Sequence, residues 1–431
     1  MSASDSQIQE VVEARIYAKL TWRLLPLLFA GYIVAYLDRV NVGFAKLQMA
    51  SDLHLSDTVF GLGAGIFFIG YFLLEIPSNL ILHKVGARLW IARIMISWGL
   101  VSAATIFVTS PVSFYFMRFL LGAAEAGFFP GIVLYLTYWF PARRRAAMMA
   151  LFMAAVPLSG VVGGPFSGWI MQTLPGVLGL AGWQWMFIGE ALPSIAVGIF
   201  VIVFLKNRIA DAHWLSAAEK SWLNARIAEE DQAKPQPTMG TLFAQPHLWL
   251  MALIYFCMVM GLYGVGFWLP TLIKASGIKG TLEIGLLSAI PYLVAAIVMV
   301  PAGKSADKRG ERRWHVAIPA FAGALGLVLS TFFATSPWPA LAALTLATAG
   351  IITSLPLFWS LPTAMLGGAA AAAGIAFINS LGNLAGFVSP YLVGWLRDAT
   401  QSTGYGMLAL AISLLIGGLL TLSLPEPART E

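Results

Sequence analysis

Charge is scarce in this chain. Asp, Glu, Lys and Arg make up 11% of its 431 residues, against about 25% in soluble globular proteins. Such a deficit argues against a water-soluble globular fold, because few residues remain to dress a hydrated surface. Cysteine is scarcer still. A single residue, Cys257, excludes an intramolecular disulfide framework and any cysteine-based metal cluster, and reads as a packed core thiol. The five histidines are scattered without ligand spacing, so no metal site is expected. No nucleophile–base motif and no phosphate loop is present, so neither an enzyme nor a cofactor is expected. The N-terminal MSASDSQIQEVVEARIYAKLTWR is polar and contains acids, unlike a cleavable signal. The first apolar helix is therefore expected to stay in the mature protein.

What the chain has is apolar length. Hydrophobic residues make up 59% of it, and several runs exceed the roughly 18–20 residues that cross about 30 Å as helix. Twelve spans are expected. The first six are 24–45, 59–82, 89–108, 112–138, 146–171 and 184–205. The second six are 248–270, 283–302, 315–335, 338–359, 367–395 and 405–424. This defines an all-α membrane protein with an N-terminal half (1–205), a polar linker (206–247) and a C-terminal half (248–431). Ser216 and Glu219 in the linker have capping-box spacing, which predicts a short surface helix.

The net charge of +6 would suggest nucleic acid in a soluble chain. Here it follows from loop placement, and a lipid bilayer is the expected surrounding. With the N-terminus inside, inner segments hold 19 Lys and Arg, including Arg143, Arg144 and Arg145. Outer segments hold four: Lys46, Lys274, Lys279 and Arg397. That bias predicts both termini on the cytoplasmic side of the cytoplasmic membrane. Three more lie inside spans: Arg39, Arg93 and Arg118. The halves also repeat. HKVGAR (83–88) and DKRGER (307–312) are offset by 224, and Pro165 in GGPFSGW and Pro390 in VSPYLVGW by 225. Duplicated halves with a site at their interface are a common transporter plan.

Residues 32–46, YIVAYLDRVNVGFAK, break an apolar helix with two adjacent opposite charges. Each costs about 2.5–3.5 kcal/mol on insertion scales and so points to a bundle interior or a water-filled path. Span 1 runs inward to outward, placing Asp38 about 21 Å in at 1.5 Å per residue. Arg118 and Glu125 in span 4, seven residues apart, share a face. All four charges are thus expected to line one central cavity. Arginine stays charged and its fork matches a carboxylate, so Arg39 and Arg118 are the expected anion-binding residues. A carboxyl group in a low-dielectric cavity favours its neutral form, so Asp38 and Glu125 are the expected proton sites. A structural salt-bridge lock is the alternative for all four. Glu75 reads as a structural partner of the loop network, Arg93 as a snorkelling side chain, and Glu190 as structural or a second proton site.

Several motifs together resemble the major facilitator superfamily. Gly303-Lys-Ser-Ala-Asp307-Lys308-Arg309-Gly310-Glu311-Arg312 fits its loop pattern G-x-x-x-D-[RK]-x-G-[RKE]-[RK]. The first-half copy has Ser78 and His83 where Gly and Asp are usual, as in the anion:cation symporter branch. YLDRVNVGFA, GYFLLEIPSNLILHKVGAR, RFLLGAAEAGFFPG, GWQWMFIGEALP, YFCMVMGLYGVGFWLPT and FINSLGNLAGFVSPYLVG also fit. The branch imports carboxylates such as tartrate, galactonate, phthalate and hydroxyphenylacetate with protons. The resemblance implies proton coupling and anion binding at positions matching Asp38 with Arg39 and Arg118 with Glu125. It adds Tyr71 and Asn383 as substrate contacts. It assigns Lys84, Gly86, Arg88, Gly303, Asp307, Arg309, Gly310 and Arg312 to a conformational motif, with Asp307, Arg309 and Arg312 bridging helices. Tyr36, Tyr255 and Trp359 are further candidates for the cavity wall, set against ordinary helix packing. Spans 5 and 7 read AAVPLSG and IYFCMVMG, without the glutamines of sugar-acid carriers, which favours a less polar or aromatic acid. The expectation is a monomeric proton symporter of a small organic anion. Its rivals are a proton antiporter exporting an acid or drug, and a membrane-embedded enzyme or transport-related sensor.

Overall fold

The computed structural model describes residues 3–141, 144, 148, 151–232, 244–365 and 368–425. The KPQPT segment of the linker, Arg143 and Arg145 lie outside them. Among the described residues the chain is helical with no strand, as hydrocarbon demands of backbone that must satisfy its own hydrogen bonds.

Helices α1 (Ala3–Val40) and α2 (Val42–Asp52) meet at Asn41 and make one continuous stretch, Glu13–Asp52. Helix α3 (Asp57–Val85) starts where Ser56 accepts the Val59 N–H, an N-cap that fills an orphan donor. Helix α4 (Ala87–Ala104) follows after Gly86 alone. Pro111 and a Ser110–Ser113 capping box open α5 (Pro111–Glu125). Gly127, at φ 84°, turns the chain into α6 (Phe128–Thr137). Then come α7 (Ala155–Thr173) and α8 (Gly182–Phe204).

The surface helix expected in the linker is present as α9 (Ala217–Gln232). Its capping box forms: Ser216 N–H donates to Glu219 Oε2 (2.8 Å), and Glu219 N–H to Ser216 Oγ (3.2 Å). Lys19 Nζ donates to Glu219 Oε1 (2.5 Å), docking α9 on α1. That bond holds the Glu219 carboxyl below its ordinary range.

The second half contains α10 (Pro246–Ala275), α11 (Thr281–Arg309), α12 (Arg313–Phe332), α13 (Pro337–Phe358), α14 (Ser360–Met365), α15 (Gly368–Asn383), α16 (Ala385–Thr400) and α17 (Gly404–Ser423). Eleven described stretches are long and apolar enough to span a membrane. The twelfth expected span, 367–395, is seen as α15 and α16, which abut at Leu384. There Leu384 and Phe387 bond three residues back instead of four, a local 3₁₀ tightening that divides one crossing into two shorter helices.

The repeat read from the sequence has a backbone counterpart. Gly86 (φ 96°) ends α3 and Gly310 (φ 65°) ends α11, again 224 residues apart. Positive φ is cheap only without a Cβ, so each copy of the loop needs its glycine. Between the halves, a Cβ on Gly168 would sit 2.5 Å from the Thr281 carbonyl oxygen, and one on Gly394 would sit 2.1 Å from that of Asp57. Thr281 and Asp57 open α11 and α3. The α7–α11 and α3–α16 contacts are therefore copies of one another, closing the bundle at the end away from Lys206 and Leu424.

Candidate functional site

A cavity with about 610 Å³ of empty space, counting its open mouth, lies between the halves. Its wall is rich in phenols. Tyr32 and Tyr36 come from α1, Tyr71 from α3, and Tyr255 and Tyr263 from α10; Asn379 and Asn383 of α15 face them. Arg39 is the charged residue in this lining. Phe129, Met153, Met299 and Pro356 carry the wall toward the end that holds Lys206 and Leu424.

Of the residues expected from sequence, the structure brings Arg39, Tyr36, Tyr71, Tyr255 and Asn383 to this wall. Trp359 stands one layer back, its ring 4.7 Å from that of Tyr255. Sequence reasoning missed Tyr32, Tyr263 and Asn379, yet each had a periodic signal. Tyr32 precedes Tyr36 by four residues, Asn379 precedes Asn383 by four, and Tyr263 follows Tyr255 by eight. Those spacings keep side chains on one helical face.

Arg39 is held from two sides. Its Nη1 donates to Tyr263 Oη at 2.8 Å and its Nη2 pairs with Glu125 Oε1. The guanidinium also lies 5.4 Å from the Tyr71 and Phe67 ring centroids. Glu125 is 1% exposed and its Oε2 has no hydrogen-bond partner. Arg118 sits behind this pair, outside the cavity wall. Its Nη2 makes long contacts to the carbonyls of Arg39 (3.4 Å) and Ala64 (3.5 Å), and its Nε and Nη1 have no partner. Arg39, Glu125 and Arg118 thus form one buried group with unspent hydrogen-bonding capacity.

Asp38 does not join them. Of the four charges expected to line one cavity, Arg39 alone is in its wall: Glu125 and Arg118 lie buried behind it, and Asp38 points away because adjacent helical residues diverge by about 100°. Asp38 turns into the first half, where Trp98 Nε1 (3.0 Å), Ser102 Oγ (3.1 Å) and Ser194 Oγ (2.5 Å) donate to it, with Asn41 Nδ2 at 3.5 Å. Glu75 also differs from expectation. It accepts from Ser380 of α15 at 3.1 Å and so bridges the halves beside the cavity, away from the basic loop.

The loop-motif residues sit at the Lys206 end. Arg312 Nη1 donates to the Ser360 carbonyl (2.7 Å), tying α12 to α14. The Arg88 N–H donates to Asn207 Oδ1 (2.9 Å). Lys84, Asp307 and Arg309 are exposed, and Asp307 and Arg309 form no ion pair among the described residues. Gly303 has open space around it.

The opposite end carries a second charged cluster. Lys46, 6% exposed, pairs with Asp57 at 2.6 Å, and Arg397 reaches the same carboxylate at 3.0 Å. Lys46 Nζ stands 3.4 Å above the Trp268 ring. Asp398 accepts the N–H groups of Asp57 (3.2 Å) and Thr58 (2.7 Å), capping α3 from the other half. From sequence alone Lys46 and Arg397 read only as outer-side charges.

Membrane-length helices packed around a closed-ended, arginine-bearing cavity between two repeated halves define a membrane carrier. The profile of the Major Facilitator Superfamily matches residues 28–390, and the chain belongs to that superfamily. It is a multi-pass membrane protein and a secondary transporter, not an enzyme. It is 51% identical to a protein of Agrobacterium vitis named "Putative tartrate transporter", over 97% of this chain and 96% of that one. It is 40% identical to a "Quinolone resistance transporter" of Acinetobacter baumannii, over 95% and 94% of the two chains. The crystal structure of a D-xylose–proton symporter superposes with a TM-score of 0.75 over 95% of this chain and 99% of that one, at 17% identity. That last likeness speaks to the fold alone.

Proposed function

We propose that the protein is a proton-coupled symporter that imports a small organic carboxylate across the cytoplasmic membrane by alternating access. The carrying observation is the shared guanidinium: Arg39 faces the cavity while its other arm is paired with Glu125. A guanidinium already paired with a carboxylate has less to offer a second one. Protonating Glu125 frees Arg39 to take the substrate anion, and the unpartnered Nε and Nη1 of Arg118 add positive charge behind it. When the anion leaves, the Arg39–Glu125 pair reforms and the proton is expelled. Proton and anion therefore bind and leave together. Asp38 is the second proton site in this reading. Tyr36, Tyr71, Tyr255 and Asn383 contact the substrate, and Trp359 braces Tyr255. Phenolic walls suit a less polar or aromatic acid.

The halves 1–205 and 248–431 rock against each other in a monomer, with 206–247 as a cytoplasmic linker and both termini cytoplasmic. Lys84, Gly86, Arg88, Gly303, Asp307, Arg309, Gly310 and Arg312 form the loops that change contacts as they do. The test is uptake into proteoliposomes under an inward proton gradient. Glu125→Gln is expected to lower gradient-driven accumulation at least tenfold while substrate counterflow persists. Full accumulation in that variant would remove Glu125 from the coupling.

A second reading, export of an acid or drug by proton antiport, is favoured by the relative named for quinolone resistance. Everted vesicles separate the two. Import by symport predicts uptake driven by an outward-directed proton gradient in such vesicles to be absent, whereas export by antiport predicts it to be strong.

A further inference from the structure

Asp38 and Glu190 are both buried inside the first half, outside the lining of the anion cavity. Glu190 of α8 is 1% exposed. Its Oε1 lies 2.5 Å from Ser167 Oγ of α7, and its Oε2 has no hydrogen-bond partner. Asn41 sits between the two acids: its Nδ2 is 3.5 Å from Asp38 Oδ1, and its side chain also interacts with Glu190.

Counting protons separates the acids. A serine hydroxyl has one hydrogen to donate. Ser167 Oγ stands 2.8 Å from the Gly163 carbonyl and 2.5 Å from Glu190 Oε1. It cannot donate to both. If Ser167 bonds back to Gly163, the contact with Glu190 needs a hydrogen from the carboxyl side. Asp38 is the opposite case: Trp98 Nε1, which only donates, and two serine hydroxyls converge on its oxygens, as they do around an ionised carboxylate.

The charges nearby agree. Among the described residues neither Asp38 nor Glu190 forms an ion pair. Of the elements packed against α8, α7 carries no titratable group. Lys46 and Asp52 of α2 are engaged with Asp57 and Trp183 at the far end. Arg93 of α4 lies against Trp90, 3.9 Å from its centroid. Asp38 is thus the titratable group that faces Glu190, with Glu125 and Arg118 beyond it. Two ionised carboxylates around one amide, with no cation in contact, would be unfavourable in such a buried place.

We infer that Glu190 is a proton-binding site distinct from the anion cavity, that it holds its proton in this conformation, and that it donates it in a hydrogen bond to Ser167. Asp38 and Glu190 then work as a pair that always carries at least one proton, and Glu190 becomes ionised only when Asp38 is protonated. The inference extends the proton-coupling reading but is tested apart from it.

The experiment is infrared difference spectroscopy of the purified, lipid-reconstituted protein at neutral pH, reading the carbonyl stretch of neutral buried carboxylic acids. Wild type is expected to show such a band and Glu190→Gln to lose it, whereas Asp38→Asn, which removes the neighbouring negative charge, is expected to keep the band's frequency but to lower the pH at which it disappears. Ser167→Ala is expected to shift the band to higher frequency, because the hydrogen bond is gone. A neutral-acid band that survives intact in Glu190→Gln, or no such band in wild type, would overturn the assignment. An unshifted band in Ser167→Ala would overturn the bond direction. Failure of gradient-driven uptake in the wild-type protein would sink proton symport and leave these bands unchanged.

Discussion

Asp38 and Arg39 are neighbours on the chain, and they live in different chemistry. Arg39 faces a cavity and is paired with a carboxylate across 86 residues of sequence. Asp38 faces inward to two serines, a tryptophan and an asparagine, with no charge paired to it. Arg39 opens on the cavity and Asp38 is closed off from it. The difference shows that two adjacent buried charges can be given different surroundings by one step of a helix.

The largest effect is expected at Arg39. Arg39→Ala leaves Glu125 buried without its partner, and breaking a buried pair costs about 3–5 kcal/mol. Thermal unfolding should show that loss together with loss of anion-induced stabilisation. Asp38→Asn keeps shape and most hydrogen-bond partners, so the expected cost is nearer 1–3 kcal/mol for a mispaired buried group, with anion binding retained. Equal losses of stability and binding in the two variants would erase the distinction.

A smaller effect is expected at the far-end cluster, where Lys46 and Arg397 share Asp57. Asp57→Asn should loosen the closure between the halves. Hydrogen exchange of residues 42–52 and 390–400 should then speed up roughly tenfold, equivalent to about 1.4 kcal/mol. Unchanged exchange would mean that the glycine contacts alone hold that end.

The smallest effect belongs to a half-buried pair at the protein surface, Lys19–Glu219. Surface pairs contribute about 0.2–1 kcal/mol. The hydrogen bond from Lys19 lowers the Glu219 carboxyl's affinity for protons in the folded state. Its contribution is therefore complete above the unfolded carboxylate range and is lost as pH falls through the lowered folded value. Hydrogen exchange across α9 should accelerate on that acid side in wild type. Glu219→Gln should start faster and lose the pH step.

Much of this was legible beforehand. Hydropathy located the spans, Ser216 and Glu219 announced the surface helix, and the repeated loop required Gly86 and Gly310. Tyr32, Tyr263 and Asn379 were missed, although each stands at helical spacing from Tyr36, Tyr255 or Asn383. Other features were not legible. A seven-residue spacing placed Arg118 and Glu125 on one face, but could not say that Arg118 would lie behind Arg39. Lys46 counted as a topology charge because nothing local connects it to Trp268, 222 positions away. Glu75 looked like a loop partner because Ser380 meets it only when α3 packs against the second half.

The sequence by itself determined that this chain crosses a membrane repeatedly in two matching halves, because backbone in hydrocarbon must close its own hydrogen bonds and only long apolar helices do so here. Only the tertiary structure decided which partner each buried charge received. That choice depends on the rotation of packed helices, where about 100° separates a residue that meets a cavity from one that meets a serine.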